Sequence, residues 1–207
     1  MKAIIFDLDN TLIMWKDEFI LALKKVIKDM NLNYDEKLIN KIDSAINESE
    51  KHFKKLTKQN LLDFINKTCN INLPMEFINK LEIEQGNLYY EDKDVVSTIE
   101  YLSKKYDLYV VTNWFTKTQS LRLEGMGILK YFKKVYGADI NYYKPQKCVF
   151  DCILNNYKPS ECISIGDSLE NDVKLPISLG MNAIWKTNEI NNNYKTIKDI
   201  KDLMNIL

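Results

Sequence analysis

Short apolar runs alternate with longer segments of helical period along most of the chain. Five runs have the length of strands and are rich in β-branched and aromatic residues; they lie at residues 3–6, 108–111, 135–136, 162–165 and 181–185. Successive side chains of a strand point to opposite faces of the sheet, and in these runs the residues on both faces are apolar. The runs therefore predict strands that are covered on both faces. Helical spacing of apolar residues precedes the second and fourth runs, at residues 95–102 and 149–154. This alternation predicts a doubly wound, Rossmann-like α/β fold with a parallel sheet.

The segment from residue 14 to residue 86 breaks this alternation, because it holds four helical stretches and no convincing strand. Each stretch has an apolar stripe on one face: Ile20, Leu23 and Ile27; Leu38, Ile42 and Ile46; Leu61, Leu62 and Ile65; and Phe77, Ile78 and Leu81. Pro74 is expected in the first turn of the fourth helix. We therefore predict an all-helical cap domain over residues 14–86, inserted after the first strand of a core domain that comprises residues 1–13 and 87–207.

Composition and charge exclude several classes of protein. The 207 residues include 29 basic and 29 acidic side chains, so net charge gives no reason to expect nucleic acid or an anionic membrane as a partner. No stretch approaches the roughly 20 apolar residues of a membrane span. The short apolar run at the amino terminus does not resemble a secretory signal. Four cysteines without a C-x-x-C pair, beside one histidine, argue against a zinc site. We expect a globular protein of the cytoplasm.

Polar residues follow the predicted strands, at the edge where parallel sheets collect their ligands. Their order along the chain is Asp7-Leu8-Asp9-Asn10-Thr11 after the first strand, Thr112-Asn113 after the second, Lys144-Pro145 before the helix that leads to the fourth, and Gly166-Asp167-Ser168 after the fourth, with Asp172 shortly beyond. Four carboxylates that converge at one edge repel one another unless a divalent cation neutralises them. Oxygen ligands without nearby histidine or cysteine favour Mg²⁺ over zinc.

The residue types of these segments and their order along the chain resemble the four motifs of the haloacid dehalogenase (HAD) superfamily of phosphohydrolases. Those motifs are D-x-D-x-T, a Thr or Ser after the second strand, a Lys, and G-D with a further Asp downstream. The resemblance covers the whole chain, since the predicted helical segment is similar to that family's helical cap. It implies a Mg²⁺-dependent phosphatase that acts on a small phosphomonoester through an aspartyl-phosphate intermediate.

The four acidic residues receive distinct roles from this resemblance. Asp7 is expected to be the nucleophile and a metal ligand. Asp9, which extended geometry turns to the same side as Asp7, is expected to protonate the leaving oxygen and then to activate water. The resemblance also makes the backbone carbonyl of Asp9 a metal ligand. Asp167 is expected to ligate Mg²⁺ directly, whereas Asp172 either ligates it or holds waters or the motif lysine.

Phosphate binding is assigned to the remaining motif residues. Thr112, Asn113 and Lys144 are expected to bind phosphoryl oxygens, and Lys144 also to orient the nucleophile and offset charge in the transition state. Thr112 and Asn113 could equally cap the next helix. Asn10 and Thr11 are expected to shape the turn after the first strand, Thr11 by bonding to local backbone.

The chain departs from the family's usual sequence at one place, and it has one segment of unusual amino-acid composition. Leu175 and Pro176 stand where related chains often have Gly-Ala. Pro176 is expected in the first turn of a helix that Gly180 ends. The segment at residues 188–195, which is rich in asparagine and lysine, is expected to be a solvated loop.

Other functions stay open at this point. A 2-haloacid dehalogenase of this superfamily needs no metal and has no acid at the second motif position, so Asp9 and Asp167 argue against it. A phosphosugar mutase uses the same residues as a phosphatase, and a non-catalytic regulatory module would usually have lost a carboxylate. The substrate and the oligomeric state are not indicated. His52, Trp15 and Trp114 are candidates for contact with the substrate.

Overall fold

A computed structural model describes residues 1–14, 18–189 and 191–207. Its strands are β1 (Ala3–Phe6), β2 (Asp107–Val111), β3 (Phe132–Tyr136), β4 (Cys162–Gly166), β5 (Asn182–Lys186) and β6 (Thr196–Ile197). They form one parallel sheet in the order β3-β2-β1-β4-β5-β6. The strand order reverses at β1, which pairs with β2 on one side and β4 on the other. Loops after β1 and β4 therefore meet at the switch point, where open parallel sheets bind ligands.

Among the described residues, four helices follow β1 and precede the helix that leads into β2: α1 (Glu18–Asp29), α2 (Glu36–Glu48), α3 (Lys58–Cys69) and α4 (Met75–Gly86). The side chains of Asp35 and Thr57 accept first-turn N–H groups of α2 and α3, which fixes where these helices begin. Pro74 is the residue just before α4, one position earlier than expected. The apolar stripes of all four helices pack in one hydrophobic cluster, which also includes Phe115 and Tyr143 from the rest of the chain.

Further helices cover the two faces of the sheet: α5 (Lys93–Ser103), α6 (Thr116–Gly125), α7 (Asp151–Leu154) and α8 (Leu175–Ser178). Side chains alternate along β1, so Ile4 and Phe6 pack in one cluster with the apolar stripe of α5. Ala3 and Ile5 point to the opposite face, into a second cluster that includes Ile153 of α7. The central strand is thus buried on both sides, as its unbroken apolar run predicts.

The Rossmann-like parallel sheet with an inserted helical segment is confirmed, and so are the five predicted strands, although β3 begins at Phe132 instead of residue 135. The apolar runs of the sequence do not predict β6. This strand is two residues long and pairs with the end of β5, directly after the segment that was expected to be solvated. Pro176 lies in the first turn of α8, and Gly180 follows with a φ of 82°.

The division into a core at residues 1–13 and 87–207 and a cap at residues 14–86 stays a prediction. Within the described ranges, no helix combines the length and the apolar character that a bilayer span requires.

Candidate active site

Three acidic side chains meet at the carboxyl end of the sheet. Asp7 follows β1, Asp167 follows β4, and Asp172 lies in the π-helical segment Leu169–Lys174. One carboxylate oxygen of each lies within 4.8 Å of the others. Gly166 permits this approach, because a Cβ at that position would lie 2.3 Å from the carboxyl carbon of Asp172. The fold therefore brings together residues that lie more than half of the chain apart in sequence.

Lys144 is the buried cation of this cluster. Its Nζ donates to Oδ1 of Asp7 and to Oδ1 of Asp172, each at 2.7 Å. Burial opposes the charge of this side chain, but the carboxylates of Asp172 and Asp7 outweigh burial and raise the pKa of Lys144. The other Asp7 oxygen, Oδ2, accepts the Thr11 hydroxyl at 3.1 Å. Thr11 thus contacts Asp7 itself, beyond the turn-shaping role expected of it.

The donor set fits a Mg²⁺ ion. Burial raises the pKa of Asp167, and the charge of Asp7 adds to that shift. Burial also raises the pKa of Asp172, although Lys144 opposes this shift. Both shifts arise mainly from burial, and the nearby Asp7 carboxylate adds to them; a divalent cation at the cluster would offset this negative charge. Hard carboxylate oxygens are the ligands that Mg²⁺ prefers, so Asp7, Asp167 and Asp172 are the side chains that could hold it.

Asp9 is held apart from the three clustered acids by α6. Arg122 donates through Nη1 to Oδ1 of Asp9, and Gln119 donates through Nε2 to Oδ2 at 2.7 Å. Burial raises the pKa of Asp9, while the Arg122 charge and its hydrogen bond act in the opposite direction. Asp9 still lines the same cavity as Asp7. Its expected acid-base role and its expected metal contact through the backbone carbonyl both stay predictions.

Arg122 and Gln119 are site residues that the sequence analysis misses. Arg122 is 2% exposed and also donates through Nε to the Leu88 carbonyl at 2.8 Å, with its guanidinium 5.2 Å from the Phe19 ring centroid. Gln119 Nε2 also reaches the Thr112 hydroxyl at 3.0 Å. One signal was available, because Arg122 is the only arginine in a chain that is rich in lysine.

Thr112 and Asn113 do not cap the next helix. That helix, α6, begins at Thr116, whose backbone N–H donates to Asp139 Oδ1 at 2.7 Å. Asn113 instead binds the backbone of Lys144, accepting its N–H at 2.7 Å and donating to its carbonyl at 3.2 Å. The Asn113 side chain therefore fixes the loop that presents Lys144. Both residues line the same cavity as Asp7, and their expected binding of phosphoryl oxygens stays a prediction.

The cavity above these residues has a volume of about 340 Å³. Its floor is formed by the motif residues, and its walls include Phe19 of α1, Trp114, and Ile46 and Asn47 of α2. Trp114 donates through Nε1 to Gln85 of α4 at 3.0 Å, which fixes the plane of the indole. A volume near the lower end of the range for ligand pockets suits a small substrate.

The candidates for substrate contact fall in different places. Trp114 lines the cavity. His52 instead packs against Phe64 in a tilted arrangement, with ring centroids 4.6 Å apart, and is not among the described residues that line the cavity. Trp15 lies outside the described residues.

Comparison with known proteins gives both sequence and structural relatives. YfnB of Bacillus subtilis (strain 168), which is named a HAD-hydrolase, is 24% identical over 213 residues that span 95% of this chain and 88% of YfnB. The pyrimidine 5′-nucleotidase PynA of Streptococcus pneumoniae (strain ATCC BAA-255 / R6) is also 24% identical, over 89% of this chain and 83% of PynA.

Two solved structures share the fold. A crystal structure of YfnB bound to magnesium superposes with a TM-score of 0.76 and 21% identity, over 99% of this chain and 97% of that one. An L-2-haloacid dehalogenase from Xanthobacter autotrophicus, with chloropropionic acid covalently bound, gives a TM-score of 0.71 at 11% identity, over 100% and 98%. The family model described as haloacid dehalogenase-like hydrolase matches residues 4–186. The chain therefore belongs to the haloacid dehalogenase-like hydrolase family.

Proposed function

We propose that this protein is a Mg²⁺-dependent phosphatase that hydrolyses a small phosphomonoester through an aspartyl-phosphate intermediate. The observation that carries the proposal is the meeting of Asp7, Asp167 and Asp172 around Lys144, with Asp9 on the wall of the same cavity. Two relatives support it, since PynA is named a nucleotidase and a YfnB structure is described as bound to magnesium.

Asp7 is the attacking group in this proposal. One of its carboxylate oxygens forms a bond to phosphorus while the bond from phosphorus to the leaving alcohol breaks. Lys144 and the Thr11 hydroxyl hold the Asp7 carboxylate in place. The bound Mg²⁺ would supply charge neutralisation between Asp7 and the phosphoryl oxygens. Thr112 and Asn113 line the cavity beside Lys144 and would bind phosphoryl oxygens there, Thr112 through its hydroxyl and Asn113 through its backbone N–H, since the Asn113 side chain is engaged with Glu50 and Lys144.

Asp9 is assigned the proton transfers. In the first step it gives its proton to the oxygen of the leaving alcohol, so that the alcohol leaves neutral. In the second step the ionised Asp9 takes a proton from a water whose oxygen attacks phosphorus. The bond from phosphorus to Asp7 then breaks, which releases inorganic phosphate and restores the Asp7 carboxylate and the Asp9 acid.

Removal of divalent metal tests the proposal directly. We expect an excess of EDTA to reduce phosphate release from p-nitrophenyl phosphate by more than about 100-fold, because three carboxylates that share the single ammonium of Lys144 then face a dianionic ester. Added Mg²⁺ should restore the rate and raise the melting temperature, whereas the same concentration of a monovalent salt should do neither. Undiminished phosphate release in EDTA would contradict the proposed metal dependence.

The same assay separates the alternatives that share this fold. A dehalogenase would release halide from 2-chloropropionate in EDTA, a phosphosugar mutase would give an isomerised sugar phosphate instead of free phosphate, and a regulatory module would give no product. We expect free phosphate alone.

Arg122 is expected to act as a positioning residue for Asp9. Because Arg122 fixes one Asp9 oxygen while bound to Leu88, its replacement by methionine should lower kcat by about 10- to 100-fold with little change in KM. Lysine at position 122 should recover part of the loss, since it restores the charge but not the planar pair of donors. A merely structural role predicts instead that activity follows the folded fraction measured by circular dichroism, without a selective fall in kcat.

A further inference from the structure

The charges on the cavity walls bear on which phosphate esters can enter. The lining includes a fifth carboxylate, Glu50, in the 3₁₀ turn Ser49–Lys51 that follows α2. Glu50 Oε2 accepts a hydrogen bond from the Asn113 side-chain amide at 2.7 Å, so this exposed carboxylate is held against the second motif. The contact holds a negative charge in the cavity lining, and under the proposed function, in which the motif residues bind the phosphoryl group, the rest of the substrate would meet this charge.

The positive charge in the described cavity lining is already paired with carboxylates. Lys144 is the one cation among the described residues that line the cavity, and it is shared between Asp7 and Asp172. The other polar side chains of the lining beyond the acids are amides and hydroxyls: Asn10, Asn47, Thr112, Asn113, Ser168 and Asn171. A second anionic group on a substrate would therefore meet Glu50, with no cation among the described lining residues left to pair with it.

The upper walls also offer surfaces for an uncharged group. The rings of Phe19 and Trp114 lie 6.4 Å apart between centroids and give the cavity an apolar side. Asn47 of α2 and Glu50 also line the cavity and can accept hydrogen bonds from hydroxyl or N–H groups. An apolar face beside hydrogen-bond acceptors is suited to a sugar, polyol or nucleoside.

We infer that Glu50 is a specificity-determining residue that selects phosphomonoesters of uncharged, hydroxyl-bearing alcohols and rejects those whose leaving group carries a carboxylate. The inference rests on the proposed phosphatase activity and adds the substrate class to it. Rejection follows from like-charge repulsion and from the loss of the hydrogen bond that a hydroxyl would donate to Glu50.

Two ester pairs of nearly equal size test this inference. In each pair a carboxylate replaces a hydroxymethyl group: phosphoglycolate against 2-hydroxyethyl phosphate, and 3-phosphoglycerate against glycerol 3-phosphate. We expect kcat/KM with Mg²⁺ to favour the uncharged member of each pair by at least about tenfold. The preference should shrink as ionic strength rises, because salt screens an exposed carboxylate.

Variants at position 50 identify the source of the preference. Glu50→Gln keeps an acceptor for the Asn113 amide but removes the charge, so it should narrow the preference several-fold, and Glu50→Lys should reverse it. Glu48→Gln is the matched control, because it removes one exposed carboxylate at the end of α2 that does not line the cavity. This control should keep the wild-type preference.

The outcomes separate this inference from the proposed function. Equal or better turnover of the carboxylate esters by the wild type would overturn the role of Glu50 while leaving the phosphatase proposal intact. A preference that Glu50→Lys leaves unchanged would also overturn it. Absence of phosphate release from every ester, p-nitrophenyl phosphate included, would overturn the proposed function and this inference together.

Discussion

Replacement of Asp7 by asparagine is expected to reduce phosphate release by more than about 10³-fold. An amide is a poor nucleophile toward phosphorus, and the neighbouring carboxylates have other partners or roles, since Asp167 is assigned to the metal in this proposal. Asp172 is bound by Lys144 and by the Ser168 N–H, and Asp9 is bound by Arg122 and Gln119. The fold should survive, because an asparagine oxygen can still accept from Lys144, which also keeps its bond to Asp172.

A covalent intermediate gives this prediction a second readout. Wild-type protein quenched with acid during turnover should carry phosphate that hydroxylamine releases, as expected of an acyl phosphate, and Asp7→Asn should carry none. Asp151→Asn, an exposed carboxylate at the start of α7, is the matched control and should behave like the wild type. Turnover by a folded Asp7→Asn within about tenfold of the wild-type rate would exclude Asp7 as the nucleophile.

The site residues that can be predicted from the sequence are those that directly follow a strand. Asp7 and Asp167 come directly after buried apolar runs, and the parallel pairing of β1 and β4 brings their loops together. Such a position can be read from the sequence because a strand of apolar residues and its polar successor are contiguous. The five predicted strands follow from the same local signal.

The residues that cannot be predicted from the sequence make contacts with residues far away along the chain, and local sequence patterns do not indicate such contacts. Gln119 and Arg122 lie on α6, far in sequence from Asp9, and their burial is visible only after α6 has packed. Glu50 is an exposed residue next to a helix whose apolar stripe points elsewhere. Periodicity identifies the buried face of that helix, but it does not tell which exposed side chain faces a cavity formed by a distant loop.

Loss of Lys144 is expected to have the largest effect on stability. Its side chain is 4% exposed and pairs with Asp7 and Asp172, so Lys144→Met leaves carboxylates that repel one another in a desolvated site. Removal of one partner from a buried ion pair costs about 3–5 kcal/mol of unfolding free energy. Phosphate release should also fall by more than about 100-fold, because the Asp7 carboxylate loses its anchor.

The loss of unfolding free energy in Lys144→Met should depend on pH, and the direction of this dependence follows from the pKa of Asp172. Burial already raises the pKa of Asp172 while Lys144 opposes the shift, so removal of Lys144 raises this pKa further. A carboxyl whose pKa is higher in the folded than in the unfolded state loses stability as the pH rises from about 4 through its folded pKa. The deficit of Lys144→Met in unfolding free energy should therefore be smaller at pH 5 than at pH 8.

Mg²⁺ should restore part of the unfolding free energy that Lys144→Met loses. The size of this effect tests whether the three clustered acids are the metal site. With the ammonium gone, Asp7, Asp167 and Asp172 attract a divalent cation more strongly, so Mg²⁺ should raise the melting temperature of Lys144→Met more than that of the wild type. Lys147→Met, which removes an exposed lysine from the same loop, should respond to Mg²⁺ like the wild type. Equal Mg²⁺ responses in Lys144→Met and the wild type would place the ion away from these three acids, because only a distant site is insensitive to the charge at position 144.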